Sequence, residues 1–320
     1  MSAARAETAP AKVNLTLHVM GRRVDGYHEI ESLVVFADIG DTITFAPAPN
    51  KALQNLNLPD LNLQALNLQG LNLEVRGSTA AASGTIEDNL VIKAARSLAE
   101  RVEGLKCGHF VLSKRLPVAA GVGGGSSDAA AALRLLAHAN RIRLDDSRLY
   151  EAARVVGADV PVCLVPCARL MRGIGEVLSP PLDVPRLPAV LVNPGVAVPT
   201  RDVFAKLAAA PLAAPPLTAP RHAGGAPMAV PVGIPTDRSG YLSHVLGGSN
   251  DLEAPAISLQ PVIAEVLGAL RKLAGCRLSR MSGSGATCFG LFDSQRAAKA
   301  AAAELRKHHG GWWVRATTLG

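Results

Sequence analysis

One short segment carries the clearest chemistry in this 320-residue sequence. It reads GVGGGSSD at residues 121–128 and continues into an Ala- and Leu-rich stretch that predicts a helix to about Asn140. Glycines adopt backbone angles that other residues avoid, and they let the main chain approach a ligand closely. Consecutive backbone N–H groups that lead into a helix N-terminus attract anions, and the two serine hydroxyls add further donors. The segment therefore predicts a phosphate-binding loop.

Two common phosphate loops do not fit these residues. The pattern GxxxxGK[ST] is absent, which excludes a Walker loop. No acidic residue ends a strand about 20 residues later, as a dinucleotide-binding unit would require. A flexible connector that merely caps the next helix is the alternative that the local sequence leaves open.

The composition is basic and poor in aromatic residues. Lys and Arg number 33 against 26 Asp and Glu, which gives a formal net charge of +7. This surplus suits an anionic partner such as nucleic acid, an acidic membrane or a phosphorylated metabolite. The aromatic content of 3% argues against a nucleic-acid binder that stacks bases on several platforms. Composition alone does not choose among the remaining partners.

The cysteines and the N-terminus favour an intracellular setting. The five cysteines contain no Cys-x-x-Cys pair, and no second pair completes a zinc set with Cys163 and Cys167. Reduced and mostly buried thiols are expected, without a protein-held metal. The first residues lack the apolar core of a signal peptide. No window approaches the roughly 18 apolar residues of a membrane span, so we expect a cytoplasmic location.

Strand and helix patterns alternate irregularly along the chain. Strands are expected at 11–19, 33–46, 110–117 and 312–319. A loop then a strand is expected at 158–165, a proline-broken strand-like stretch at 185–200, and strand–turn–strand at 277–293. Helices are expected at 88–103 (capped by Asp88 or Asn89), from Ser126 or Ser127 to about Asn140, and at 147–157, 261–273 and 295–308. This mixture predicts an α+β protein of two domains that divide near residues 160–175.

Two stretches look like insertions. Residues 53–73 repeat the unit LNLxx about four times. This gives only about one turn of a pentapeptide solenoid, where about three stacked units are needed, so the stretch predicts an expanded loop or hairpin between strands. Residues 208–237 are rich in Ala, Pro and Gly and predict a loop.

Three ordered motifs together resemble the GHMP kinases: AKVNL near the N-terminus, LPVAAGVGGGSSDAAA in the middle, and MSGSGATCFGLF near the C-terminus. Within that superfamily, the segments GRRVDGYHEIESL, EDNLVIKAA, GADVPV, GIGEVL, NPGVAVPTRDVF and NDLE resemble the branch that acts on 4-diphosphocytidyl-2-C-methyl-D-erythritol. The similarity extends from residue 10 to about residue 292, and so over most of the chain.

The resemblance implies a fold and an activity. The fold would have an N-terminal domain like the second domain of ribosomal protein S5, at residues 1–168, and a ferredoxin-like C-terminal domain at 169–320. The activity would be transfer of the γ-phosphoryl group of ATP to the 2-hydroxyl of diphosphocytidyl-methylerythritol in non-mevalonate isoprenoid biosynthesis. Mg²⁺ would arrive with ATP, held mainly by phosphate oxygens.

The resemblance also implies roles for individual residues. The catalytic pair would be Lys12 of AKVNL and Asp159 of GADVPV, with Asp159 accepting the hydroxyl proton and Lys12 offsetting negative charge. ATP would be bound by Asn89, Lys114, Pro117, Gly121, Gly123, Gly124, Gly125, Ser126 and Ser127. The second substrate would be bound by Asn14, Arg23, Tyr27, His28, Thr200 and Phe204, where Tyr27 and His28 suit a cytosine ring. A supporting turn would form at Gly283, Ser284 and Gly285.

Two other functions stay open at this point. Another small-molecule GHMP kinase, of the homoserine or mevalonate type, would share the three motifs but not GYHEIESL and NPGVAVPT. A basic nucleic-acid-binding protein would explain the positive net charge. The small number of aromatic residues and the lack of a basic stripe argue against that function. The oligomeric state is open as well.

Overall fold

The computed structural model describes residues 4–48, 70–208 and 234–320. Contacts divide the chain into two compact units, each assembled from separate stretches. Unit 1 contains Met1–Ala11, Gly40–Val118 and Gly124–Val165, and unit 2 contains Lys12–Ile39, Ala119–Gly123 and Pro166–Gly320. The first two strands, β1 (Arg5–Arg22) and β2 (His28–Pro47), pair with each other, and each contributes residues to both units.

In the part of unit 1 that the structure describes, a small sheet is combined with four α-helices. Besides the end of β2, its elements are β3 (Asn72–Arg76), α1 (Leu90–Ala99), β4 (Gly108–Ser113), α2 (Gly124–Ala139), α3 (Ser147–Val156) and α4 (Val160–Leu164), with a short 3-10 helix at Ala80–Ala82. Strand β4 runs antiparallel to β2 and parallel to β3. In this register Phe45 lies opposite Phe110, and their rings are 4.6 Å apart at the centre of the core.

Helix α2 is the central helix of unit 1. The run of four alanines from Ala129 to Ala132 is fully buried, because small side chains let α1, α3 and α4 pack closely against it. Asn89 caps α1 by accepting a hydrogen bond from Val91 N at 3.0 Å. The tight packing fixes the direction of α2 and therefore of the glycine-rich segment that leads into it.

In its described residues, unit 2 has a larger antiparallel sheet and five helices. Its elements, besides the start of β2, are β5 (Arg169–Gly173), β6 (Val177–Leu178), β7 (Leu187–Asn193), α5 (Thr200–Ala208), α6 (Arg238–Gly247), α7 (Glu253–Leu259), α8 (Val262–Arg271), β8 (Cys276–Met281), β9 (Cys288–Phe292), α9 (Gln295–His308) and β10 (Trp313–Leu319). The strand order is β2-β10-β7-β9-β8, and β5 pairs with the first part of β2. All of β7 is buried.

Most predicted elements are confirmed, with one error of type. Residues 158–165 were expected to form a loop and a strand, but Val160–Leu164 is a short helix. The β-branched residues of VPV favour a strand locally, whereas Pro161 is well tolerated in the first turn of a helix. Burial of all five residues against the rest of unit 1 decides the outcome. Helices α5, α6 and α7 were not predicted.

The predicted insertions lie largely outside the described residues. Of the LNL repeat, Gly70 to Leu73 are described, and Asn72 and Leu73 already belong to β3. Of the Ala/Pro-rich stretch, Ala208 ends α5 and Asp237 caps α6. The predicted domain boundary at residue 168 stays a prediction; the compact units of the structure interleave along the chain.

Within the three described ranges, no helix is long and apolar enough to span a bilayer. The five cysteines all carry free thiols, and Cys107, Cys163 and Cys288 are buried. Burial raises the pKa of each of Cys107, Cys276 and Cys288, so these side chains behave as small apolar groups at neutral pH.

Candidate active site

The glycine-rich loop is held from both sides within unit 2. Lys12 N donates to Val122 O at 2.9 Å, and Thr287 N donates to Ala120 O at 3.0 Å. The buried hydroxyl of Ser282 donates to Gly121 O at 2.9 Å and accepts from Asn14 N at 3.1 Å. The loop is therefore fixed before any ligand binds, by β1 on one side and the turn between β8 and β9 on the other.

Two glycines of this loop are required by its geometry. Gly121 and Gly123 have φ values of +73° and +59°, which side chains disfavour. A Cβ at Gly121 would also collide with Ser282 O and lie 2.9 Å from Gly285 N and O. A Cβ at Gly123 would lie 3.1 Å from the Lys12 side chain. These contacts explain why the loop needs glycine at both positions.

The first turn of α2, in unit 1, continues the loop. The helix begins at Gly124, two residues before the predicted start. Gly125 is exposed and Ser126 is half-buried, so both are available to a ligand. Ser127 is buried, and its hydroxyl donates to Pro10 O at 2.7 Å, which ties the first turn to β1.

A buried ionic cluster lies at the start of α2. Lys114 Nζ donates to Asp41 Oδ2 at 2.5 Å and to Asp128 Oδ2 at 2.7 Å, and the three residues are 4%, 0% and 3% exposed. Thr42 pairs with Ser113 in the antiparallel β2–β4 ladder. This register places Asp41, just before Thr42, opposite Lys114, just after Ser113. Asp41 Oδ1 also accepts from Leu116 N at 2.9 Å.

The protonation of the cluster is strongly perturbed. Burial raises the pKa of Asp128 to about 7; the ammonium of Lys114 opposes this rise, and the neighbouring Asp41 adds to it. Burial lowers the pKa of Lys114, but the two carboxylates outweigh it, so that the pKa of Lys114 is raised. One ammonium thus faces two carboxylates in a site without solvent.

The remaining predicted ATP-binding residues flank this start of α2 in unit 1. The side-chain oxygen of Asn89 accepts the hydrogen bond that caps α1. The next residue, Leu90, would lie 3.2 Å from a Cβ on Gly125, so the start of α1 is next to the start of α2. Pro117 is half-buried in the segment between β4 and the loop. Asn89 and Pro117 thus belong to the same unit as the first turn of α2.

The predicted catalytic lysine sits in a hydrogen-bonded chain in unit 2. Lys12 is 3% exposed, and its Nζ donates to Asn14 Oδ1 at 3.2 Å. Asn14 Nδ2 donates to Ser32 Oγ at 2.7 Å, and Ser32 Oγ donates to Thr16 O at 2.6 Å. Asn14, predicted to contact the substrate, is itself buried and orients Lys12 in this structure.

Asp159, the other half of the predicted pair, precedes α4 in unit 1. It occupies the N-cap position but makes no capping hydrogen bond with its side chain. Pro161 stiffens the following turn and all of α4 is buried, so the backbone that carries Asp159 is firmly held.

The predicted nucleoside-binding residues are close together in unit 2. The rings of His28 and Phe204 are stacked, with centroids 4.8 Å apart and an interplanar angle of 24°. Tyr27 is 60% exposed, which is unusual for a tyrosine outside a binding surface. Burial, followed by the charge of Arg22, lowers the pKa of His28. The imidazole is therefore neutral at pH 7, with one donor and one acceptor nitrogen.

Two further predicted substrate residues have protein partners. Arg23 pairs with Asp25 at 2.9 Å and reaches Glu29 at 3.7 Å. Its hydrogen bond to Asp25 raises the pKa of Arg23 and lowers that of Asp25. The hydroxyls of Thr200 and Ser284 are 2.8 Å apart and exposed, which links the start of α5 to the Gly283–Gly285 turn.

Comparison with known proteins identifies the chain. The family model for the GHMP kinases N terminal domain matches residues 89–166, and the model for the GHMP kinases C terminal matches residues 239–310. Proteins described as 4-diphosphocytidyl-2-C-methyl-D-erythritol kinase match almost end to end. The one from Methylorubrum extorquens is 50% identical over 97% of both chains, and the one from Methylobacterium radiotolerans is 53% identical over 98% of both. The chain belongs to this family of GHMP kinases.

Solved structures agree with this kinase assignment. A crystal structure of 4-(cytidine 5'-diphospho)-2C-methyl-D-erythritol kinase is 33% identical and superposes with a TM-score of 0.70 over 99% of both chains. A homoserine kinase from Cytophaga hutchinsonii is 19% identical, with a TM-score of 0.64 over 99% of this chain and 95% of its own, and shows the shared fold alone. The predicted α+β GHMP kinase fold is confirmed.

Several residues that build this kinase's site were not predicted. Asn250 of NDLE donates from Nδ2 to Met281 O and Gly283 O, both at 2.8 Å, and so fixes the turn that supports the loop. Asp41, Asp128 and Ser282 were likewise not assigned roles. Asn250 and Ser282 stand inside quoted motifs, whereas Asp41 is far from any motif in the sequence and had no signal.

Proposed function

We propose that this chain transfers the γ-phosphoryl group of ATP to the 2-hydroxyl of 4-diphosphocytidyl-2-C-methyl-D-erythritol, a step of non-mevalonate isoprenoid biosynthesis. The observation that carries the proposal is identity of about half the residues, over nearly the full chain, with kinases named for that substrate. The kinase class and the isoprenoid role follow from family membership. A cytoplasmic location stays a prediction.

The phosphate loop would bind the donor. ATP phosphates fit the N–H groups and the positive end of α2 at Gly123, Gly124, Gly125 and Ser126. No group of three His, Cys, Asp or Glu residues in the described ranges is placed to hold a metal ion. Mg²⁺ would therefore enter as MgATP, bound chiefly by the phosphates.

Lys12 and Asp159 would carry the transfer. Asp159 accepts the proton that the 2-hydroxyl loses as its oxygen attacks the γ-phosphorus, and ADP leaves with the bridging oxygen. Lys12 holds the hydroxyl oxygen and offsets the charge of the transferring group. A loose transition state needs positioning more than a strong base, which suits a lysine held by Asn14 and Ser32.

The cytidine end would be read by aromatic residues in unit 2. Tyr27 offers an exposed face for stacking on cytosine, and the neutral His28 imidazole can both donate to and accept from its polar edge. Phe204 supports His28 by stacking on it. Asn14, Arg23 and Thr200 would contact the methylerythritol or diphosphate part.

The assay that decides the function compares acceptors directly. Purified protein with MgATP should form ADP with 4-diphosphocytidyl-2-C-methyl-D-erythritol, and much less with homoserine or mevalonate. A phosphorus NMR spectrum should place the new phosphate on the 2-hydroxyl. Turnover of homoserine or mevalonate, with none of the cytidyl substrate, would contradict the proposal. A homoserine or mevalonate kinase is the second candidate, which only fold-level similarity supports.

Gly121→Ala is expected to weaken MgATP binding at least about tenfold, because the left-handed backbone strain and the collision with Ser282 O together displace the loop. Gly195→Ala is a matched control, with φ of +80° and its nearest neighbour, Gly311 O, 3.9 Å from the added Cβ. Gly195→Ala introduces the same backbone strain but no steric collision. Isothermal titration with MgATP measures both, and equal affinities would contradict the role of the loop.

Tyr27→Ala is expected to raise KM for the cytidyl substrate about tenfold or more, since stacking on a base contributes about 1–3 kcal/mol. KM for ATP should change little. Tyr27→Phe keeps the ring and should stay near wild type. An unchanged substrate KM in Tyr27→Ala would rule out stacking by this residue.

A further inference from the structure

The cluster of Lys114, Asp41 and Asp128 has no role in the proposed phosphoryl transfer, yet it touches the nucleotide-binding machinery of unit 1. Asp128 lies on α2 just after its first turn, directly after the serines of the loop. Lys114 Nζ lies 3.6 Å from the position of a Cβ on Gly124. A change in the charge of the cluster therefore occurs within one helical turn of the residues proposed to hold phosphate.

The cluster carries an uncompensated carboxylate when both aspartates are ionised. One ammonium then balances only one of two carboxylates, all within a site that is at least 96% buried. Asp128 Oδ1 is buried and has no hydrogen-bond partner among the described residues. Asp41, by contrast, accepts from Lys114 and from the backbone at Arg115 and Leu116. A single added proton is therefore best placed on Asp128 Oδ1.

Besides the cluster itself, Arg134 is the one buried charged side chain in the described part of unit 1. The buried residues of α1, α3 and α4, which pack against α2, are aliphatic apart from Ser97, Pro161 and the Cys163 thiol. Arg134 on α2 is paired with Glu7 at 3.2 Å and with two backbone carbonyls. Asp159 at the start of α4 adds a further negative group to unit 1.

A bound nucleotide would disfavour the ionised form of Asp128. Phosphates bound at the N-terminal end of α2 would add negative charge near its buried carboxylate. The neutral acid is then the favoured form.

We propose that Asp128 takes up a proton from solvent when a nucleotide binds at the phosphate loop, and that Lys114 with Asp41 positions the start of α2 from behind rather than contacting phosphate. The step converts the carboxylate and one H⁺ to a carboxylic acid at Oδ1. Nucleotide affinity then falls as pH rises above neutral, by up to about tenfold per pH unit for one linked proton. This inference rests on the proposed ATP-binding function.

The free protein gives the first test. The pKa of Asp128 near 7 in the folded state lies above its unfolded value of about 3.9. The folded state thus holds its proton more tightly, and stability is lost as pH rises from about 4 to about 7. Melting temperatures should fall more steeply between pH 5 and 7 for wild type than for Asp128→Asn, which is always neutral. Parallel profiles would overturn the proposal. Asp145→Asn, an exposed control paired with Arg143, should follow wild type.

The second test measures the proton itself. Calorimetric titration of MgADP at pH 8, in two buffers of different ionisation enthalpy, reports protons taken up on binding; phosphate, with a second pKa of about 6, stays ionised. We expect uptake approaching one proton for wild type and Asp145→Asn, and none for Asp128→Asn. Equal uptake in all three, or none in wild type, overturns the coupling alone. Failure of wild type to bind MgADP or MgATP contradicts the proposed function itself.

A spectroscopic measurement covers the case in which Asp128→Asn does not fold. Wild-type protein with ¹³C-carboxyl aspartate should gain a carboxylic-acid C=O band in the infrared difference spectrum on MgADP binding. An unchanged band at pH 8 would overturn the proposal.

Discussion

Asp159→Asn should lower kcat by about 10²–10⁴, the range that removal of a positioned general base produces. The amide is nearly isosteric but cannot accept the hydroxyl proton. KM for both substrates and the melting temperature should stay close to wild type, because asparagine keeps the size and shape of the aspartate side chain. Steady-state kinetics with 4-diphosphocytidyl-2-C-methyl-D-erythritol and a thermal melt measure the two effects separately.

Asp145→Asn provides the matched comparison for this substitution. It makes the same chemical change in unit 1, at an exposed aspartate paired with Arg143, and should keep wild-type kinetics. A wild-type kcat in Asp159→Asn would remove Asp159 from the mechanism. A fall in both variants would indicate a general effect of lost negative charge.

Lys12→Met is expected to lower kcat by about 10²–10³, as loss of a preorganised charge at the reacting group does. The methionine keeps most of the lysine stem, which packs beside Gly123, so the phosphate loop keeps its support. Lys12→Ala removes that stem as well, and should additionally raise KM for ATP. The difference between the two variants separates the charge of Lys12 from its packing.

Lys299→Met is the control for Lys12→Met. Lys299 lies exposed on α9 in the same unit, so its loss changes net charge equally without touching the site. Wild-type turnover in Lys12→Met would show that the charge of Lys12 takes no part in transfer.

Local signals predicted much of this fold. Asn89, Asp146 and Gly157 mark helix ends by residue type alone, and each acts as expected in the structure. Helix α4 was missed because VPV favours an extended backbone locally, while burial in unit 1 selects a helix. Helix α2 starts at Gly124, earlier than the serines at which a polar cap was expected.

The site was predicted as a set of motif residues, without the interactions that hold them. Lys114 was expected beside the nucleotide, but its ammonium binds Asp41, 73 residues earlier in the chain, and Asp128. No sequence window contains both partners, since their meeting depends on the register of β2 against β4. The bridge from Ser282 to Gly121 spans 161 residues and is equally invisible to local patterns.

Strands β1 and β2 contribute residues to both units, which limits how the gene can be divided or recombined. A gene fragment that ends near residue 165 would encode all of unit 1. It would also contain Lys12–Ile39 and Ala119–Gly123, which belong to unit 2. The complementary fragment would lack the β2 edge on which β5 and β10 pair. Recombination at that boundary should therefore yield no autonomous module.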